Sequence, residues 1–146
     1  HWFCRLERDT FFIPENFRLL VKDLNASHFH YLGARAFWDV VRHGLVFNDG
    51  GPGVCLSFAA LQRLKPVLAR APTLPAITTF DKCAFASGHR EDIMLAACLR
   101  EAGIWPSSVT TDPWGREWFS IRPLRSIGMH RPPLSGGDSL LGKDAW

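Results

Sequence analysis

Between residues 48 and 53 the chain reads Asn48-Asp49-Gly50-Gly51-Pro52-Gly53. Three glycines and a proline in six positions make this the strongest turn signal in the sequence, and they let backbone come close to whatever lies opposite. The rest of the chain has to be arranged around that turn. Val54-Cys55-Leu56 resumes an apolar strand or helix entry after it. Ser57 can then cap a helix whose apolar side is Phe58, Leu61, Leu64 and Leu68, with Pro66 ending or kinking it.

Upstream, residues 2–5 are short, aromatic and apolar and run into Glu7-Arg8-Asp9, the pattern of a buried strand that ends in a polar loop. Pro14, followed by Phe17, Leu20, Val21 and Leu24, predicts an amphipathic helix over about 14–24. His30-Tyr31-Leu32 reads as a strand stopped by Gly33. Residues 34–48 fit neither period and stay unassigned. Residues 71–75 are a Pro-punctuated connection. The clearest helix starts at Arg90-Glu91-Asp92, with acids in its first turn, and stops at Gly103, with Leu95, Cys98, Leu99 and Ala102 as its buried face. The turn Asp112-Pro113-Trp114-Gly115 leads to a strand expected over 118–121. No internal repeat is visible. Strands alternating with helices imply an α/β sheet with ligands at strand ends.

The 146 residues fill one ordinary domain, and 47% hydrophobic and 21% charged residues exclude a disordered, collagen-like or coiled-coil chain. A net charge of +3, scattered along the chain, does not support a nucleic-acid-binding surface. No apolar run reaches the ~20 residues that span a bilayer and no leader is visible, so any anchor or signal would precede residue 1. None of the four cysteines falls in a C-x-x-C pair, which leaves a structural zinc site unsupported. Asn25-Ala26-Ser27 fits the N-glycosylation acceptor pattern.

Three clusters could meet at one site: Glu7 and Asp9 after a strand, the turn carrying Gly50, Gly51 and Gly53, and Glu91 with Asp92 at a helix start. Alternate carboxylates on extended chain can chelate a hard cation, though a solvated loop has the same look and Arg8 opposes a metal. The glycine turn can serve a ligand or simply reverse the chain, and Glu91 and Asp92 can simply stabilise their helix. His43, His89 and His130 are potential ligands by type, but lone histidines more often pack or face solvent.

The order and wording of these segments carry more. Trp2-Phe3-Cys4-Arg5-Leu6-Glu7-Arg8-Asp9-Thr10-Phe11-Phe12-Ile13-Pro14-Glu15-Asn16 resembles the "WFLKADDDTYVI…EN" segment of the inverting β-1,3-glycosyltransferases that include Fringe and core 1 β-1,3-galactosyltransferase. Tyr31-Leu32-Gly33 is similar to that family's "YFG", and residues 49–57 with Ala60-Leu61 to its "SGGAGYVLS…AL". Asp81-Lys82-Cys83, Glu91-Asp92-Ile93, Leu95 and Cys98-Leu99 are similar to "DKC…EDLALGRCM". Asp112 with Gly115-Arg116-Glu117 and Phe119 is similar to "DT.GRE.FHP". The resemblance covers residues 2 to about 124 in unbroken order, and its "DKC…ED…C" wording favours the core 1 galactosyltransferase branch.

That resemblance implies a GT-A fold, here an incomplete Rossmann-like sheet flanked by helices, with residues 1–125 as the C-terminal part of the domain and 126–146 as a poorly packed tail. It implies transfer of galactose from UDP-galactose, with Mn²⁺ and inversion, to a GalNAc-bearing glycoprotein. The compartment would be the lumen of the Golgi or endoplasmic reticulum, with a membrane anchor upstream. Asp92 matches the base, Glu91 a position that shapes the acceptor pocket, and Gly50, Gly51 and Gly53 the turn that approaches the donor. Trp114 is a candidate acceptor wall, and Glu7, Arg8 and Asp9 match the donor segment, with Asp9 at the metal-binding position. Cys83 and Cys98 match a family disulfide, while Cys4 and Cys55 sit where the family has apolar residues and are expected to be buried thiols.

The family's Asp-Asp-Asp is Glu7-Arg8-Asp9 here, and its metal-binding histidine falls at Ser120, a poor substitute toward Mn²⁺. Three consequences stay open: metal held through Asp9 and water, Arg8 contacting phosphate in place of a cation, or a non-catalytic relative that binds client protein or glycan. Trp105, Trp114 and Trp118 could instead be sugar platforms of a binding module. Homo-oligomer formation is left open. Opening on His1-Trp2-Phe3, the chain reads as lacking the nucleotide-gripping half, with an exposed sheet edge and no independent catalysis expected.

Overall fold

The computed structural model describes residues 1–38, 44–77, 80–87 and 90–120. Three strands and three helices are present among them: β1 (Trp2–Arg5), α1 (Pro14–Val21), β2 (Tyr31–Trp38), β3 (Leu45–Ser57), α2 (Phe58–Arg70) and α3 (Glu91–Glu101). The strands form one sheet in the order β1-β3-β2, and both pairings are antiparallel. The protein is thus a small α/β unit, but the described sheet is not the Rossmann-like one expected. β2 ends at Trp38 and β3 begins at Leu45, too short a connection for the crossover that parallel strands need, and the two pair antiparallel.

Both faces of the sheet are covered. Tyr31, Leu45, Phe47, Val54 and Leu56 pack with Ala60, Leu64 and Val67 of α2 and with Ile93, Ala96, Cys98 and Leu99 of α3. On the other face Leu32 and Cys55 meet Leu20 of α1, with Trp2, Phe17, Trp118 and Phe119 around them. Tyr31 and Leu32, like Cys55 and Leu56, point to opposite layers, as pleated neighbours must.

The predicted turn at 48–53 is not a chain reversal. It lies inside β3, as an excursion between two paired stretches. Gly33 pairs with Val54 while its neighbour Ala34 pairs with Asp49, so residues 50–53 have no partners on β2. The phase of the pleat changes across it: Leu45 and Phe47 before, Val54 and Leu56 after, all reach the same core. Gly33, expected to stop a strand, instead lies within β2. A Cβ there would stand 2.6 Å from the Cβ of Asn48, so only glycine admits the close approach at which the register shifts. The unassigned residues 34–38 and 45–48 prove to be strand.

The helices follow their sequence signals with differences in detail, and α1 ends at Val21 rather than near residue 24. Ser57 caps α2 by accepting from the Ala60 N–H at 3.2 Å, but Pro66 does not end the helix, which runs on to Arg70. Pro66 and Gln62 are exposed, so water can serve the carbonyl that the missing N–H leaves. α3 is buried on more sides than one stripe predicts. Asp92, Ile93, Met94, Ala96, Ala97, Cys98 and Leu99 are all inside, while Leu95 is only half-buried. No strand forms at residues 118–120; just before them Thr111 and Glu117 make an isolated antiparallel bridge. Ile121, His43, His89, His130 and the expected tail lie outside the described residues.

Candidate functional site

The β3 excursion and the start of α3 meet at one point. The Gly50 N–H donates to Asp92 Oδ2 at 3.1 Å, across 42 residues of sequence, and a Cβ on Gly50 would stand 3.4 Å from the Cβ of Asp92. Asp92 is buried, with 7% of its side chain exposed. It also accepts from the Ile93 N–H at 2.9 Å, where the helix leaves its first amides free for a carboxylate.

Arg90, just before the helix, encloses this acid. Its Nη2 donates to Asp92 Oδ2 at 2.5 Å and to Asp49 Oδ2 at 3.0 Å, its Nε reaches Asp92 Oδ1 at 3.2 Å, and the guanidinium lies 5.5 Å from the centre of the Phe47 ring. The hydrogen bond to Asp92, opposed by burial and aided by Asp49, holds the guanidinium's pKa above its usual range. Behind the cluster Tyr31 is buried, its hydroxyl accepting from the Asn48 N–H at 3.1 Å. Burial drives that phenol well above its ordinary range, and the charges of Asp92 and Asp49 add to the shift.

A second wall comes from β1 and the loop after it. Arg5 Nη2 donates to Glu91 Oε1 at 2.6 Å and also pairs with Glu7. The pKa of Glu91 is lowered first by its own backbone N–H and then by Arg5. The Thr10 hydroxyl accepts from the Glu7 N–H at 2.9 Å and donates to the Gly51 carbonyl at 2.8 Å, which ties the loop to the excursion. Gly53 completes the join. It has φ +87°, and a Cβ there would lie 2.7 Å from Leu6 Cδ2 and 3.1 Å from the Arg5 carbonyl.

The structure therefore brings Glu7, Gly50, Gly51, Gly53, Glu91 and Asp92 to one end of the sheet. Arg8 and Asp9 are exposed on the same loop, and no hydrogen bond or ion pair engages either among the described residues. Trp114 belongs to a separate turn. There Asp112 accepts from the Trp114 and Arg116 N–H groups, each at 2.9 Å, and from Arg116 Nε at 2.6 Å. Trp114 is 77% exposed, with the Arg116 guanidinium 5.0 Å from its ring centre, and among the described residues no hydrogen bond links that turn to Asp92. Asn25 is exposed on a turn where its own Oδ1 accepts from the Ser27 N–H.

The acids do not gather as a dication site. Among the described residues no group of three His, Cys, Asp or Glu side chains is placed to hold a metal, and Glu7, Glu91, Asp49 and Asp92 each pair with arginine. These pairings leave no ready-made dication site among the carboxylates of the cluster.

Cys83 and Cys98 are bonded, as the resemblance implies. Cys4 and Cys55, expected as buried thiols, are bonded too. The physical reason is register: Cys4 stands directly opposite Cys55 in the β1–β3 ladder. Cys4 is also exposed, not buried. Arg90, Arg5, Thr10 and Asn48 are the contributors that sequence reasoning missed. A basic residue before Glu91-Asp92 was visible, but its second partner, Asp49, is 41 residues away. No protein-family model matches the chain.

Proposed function

We propose that this chain is the acceptor-side part of a GT-A type, inverting β-1,3-glycosyltransferase, with Asp92 as the base. In this reading galactose passes from UDP-galactose to a hydroxyl of a GalNAc-bearing glycoprotein, beside the backbone of Gly50, Gly51 and Gly53. The observation that supports it most is the Gly50–Asp92 hydrogen bond, which joins the two segments the resemblance assigns to donor and acceptor chemistry. A base on the face opposite the leaving group must take the acceptor's proton during attack. Here Asp92 can do so only after Arg90 turns aside, because the guanidinium occupies both carboxylate oxygens.

Four carboxylates face two guanidiniums in this cluster, so a diphosphate would need further positive charge nearby. Arg8, exposed on the adjoining loop, is one source; a cation recruited by Asp9 with the donor is another. Two disulfides and the exposed Asn25 sequon favour a secretory lumen such as the Golgi or endoplasmic reticulum.

A second reading has its own observation. The Arg90 clamp leaves Asp92 fully engaged, as in a relative that binds glycan or client protein without turnover. UDP-galactose transfer by the full-length protein, with and without Mn²⁺, separates the two. Turnover that disappears in Asp92→Asn while UDP binding survives supports the enzyme. Absence of both turnover and UDP affinity in either condition leaves the second reading standing, and transfer by Asp92→Asn would remove Asp92 as base.

A further inference from the structure

The two disulfides differ in access and in what they hold. Cys83 and Cys98 are both buried, in the core between α3 and its flanking loop. Cys55 is fully buried, but its partner Cys4 is exposed on β1. Among the described residues β1 is an edge strand of four residues with β3 as its one partner in the sheet. Phe3, half exposed, leans on the equally exposed Phe58 at the start of α2. Trp2, half-buried, anchors the start of the strand against Phe17 and His30, so beyond it the noncovalent hold is a short ladder and a solvent-facing aromatic contact.

That same strand carries one wall of the cluster around Asp92. Arg5 reaches Glu91, and the loop that follows is pinned to Gly51 by Thr10. Its two fixings to the cluster are surface polar contacts, each worth little when solvent competes. The Cys4–Cys55 bond is the one covalent fixing, and it lies between the strand's aromatic start and Arg5.

We propose that Cys4–Cys55 is a reductant-sensitive tether that sets whether β1 and the loop over residues 6–10 are docked against the β3 excursion and α3. A dithiol would open it by two exchanges. One dithiol sulfur, as thiolate, bonds to a cysteine sulfur while the other cysteine leaves as thiolate. The second dithiol sulfur then displaces the first cysteine, closing the reductant's own disulfide. Two electrons pass from dithiol to protein, and the two dithiol protons end on Cys4 and Cys55. Once open, β1 is free to fray from its Arg5 end, away from the Trp2 anchor, and Glu91 and Gly51 lose Arg5 and Thr10 together. The inference goes beyond the proposed reaction and does not depend on it, since it concerns the docking of a wall and is read without turnover.

The test uses the full chain, with dithiothreitol as the dithiol. Graded reduction followed by alkylation and mass spectrometry should label Cys4 and Cys55 at reductant levels that leave Cys83–Cys98 intact. Amide hydrogen exchange on that partly reduced form should be at least tenfold faster at the hydrogen-bonded amides of β1 and at Glu7, with amides of α3, and of α2 beyond its first turn, unchanged. Cys4→Ser in otherwise oxidised protein should reproduce the pattern. Simultaneous reduction of both disulfides would overturn the proposal. So would unchanged exchange at those β1 amides and at Glu7 after clean reduction, or faster exchange throughout the chain, which would make the bond a global staple. Because exchange is the readout, failure of the glycosyltransferase reading leaves the result interpretable, and the reverse also holds.

Discussion

Arg90 offers the sharpest perturbation of the cluster. Replacing it by Met keeps much of the stem and removes the guanidinium from two carboxylates. Asp92, 7% exposed, would lose its Arg90 contacts and keep the Gly50 and Ile93 N–H groups. Stripping one partner from a fully buried ion pair costs about 3–5 kcal/mol. Arg90 is 49% exposed, so solvent already screens it, and the two remaining amides satisfy much of the carboxylate. The expected loss for Arg90→Met is therefore about 2 kcal/mol, nearer the cost of an imperfectly satisfied buried acceptor. Asp92→Asn keeps the shape but removes the charge that Arg90 serves, and should cost about 1–2 kcal/mol. In the double variant no unpaired charge remains, so the two losses should fall short of additive by about 1 kcal/mol. Urea unfolding of the four oxidised proteins, with m-values checked for constancy, measures this coupling. A coupling below ~0.3 kcal/mol would show that Arg90 and Asp92 act independently and would refute the clamp.

Three further outcomes follow from local geometry. Gly53→Ala should cost more than about 2 kcal/mol, since a positive φ is joined by contacts at 2.7 and 3.1 Å, whereas Gly115→Ala, with φ +78° and nothing within 4 Å, should cost only about 1 kcal/mol; thermal melts compare them. Removing the second disulfide as Cys83→Ser with Cys98→Ala should cost about 3 kcal/mol for its 15-residue separation, read by urea unfolding. Stability should also fall with acid in two windows. The pKa of Glu101 is lowered by the Cys83 N–H and then by Arg70. At Asp112 desolvation is outweighed by bonds from Arg116 and Trp114, which leave its pKa lowered as well. Such acids stabilise the fold above the unfolded-state value of about 4 and lose that contribution as pH falls through their lower folded values. The pKa of His30 is lowered chiefly by burial, so the unfolded chain takes up that proton first and stability declines below about pH 6.5. His30→Phe should flatten this upper step in melts taken between pH 5 and 8 on the ordinary histidine scale, and an unchanged slope would contradict the assignment.

What could be read from the sequence was whatever depends on near neighbours. α3 was legible from its first-turn acids, its apolar spacing and the stop at Gly103, and α2 from the Ser57 cap. Asp92 stood out because a carboxylate at a helix start has a local meaning. β2 and β3 were legible only in part, at residues 30–32 and as the strand or helix entry at residues 54–56, because their apolar alternation breaks where the register shifts, and because Gly33, Asn48 and Asp49 look like loop residues until they are seen packed together. Arg90 was hidden by the distance to Asp49, and the Cys4–Cys55 bond by 51 residues of separation. All three omissions run through β3. It is the central strand, and along one stretch it presents Asp49 and Gly50 to α3, while a few residues later it presents Cys55 to β1. The excursion over residues 50–53 can leave the sheet without loosening it because the ladder is held on either side, by β2 before it and by β1 and β2 after it. Its glycines thus serve a different end from the turn first read in them. They let a buried strand step out, meet a carboxylate and a loop from two other elements, and return with its pleat reset for the core.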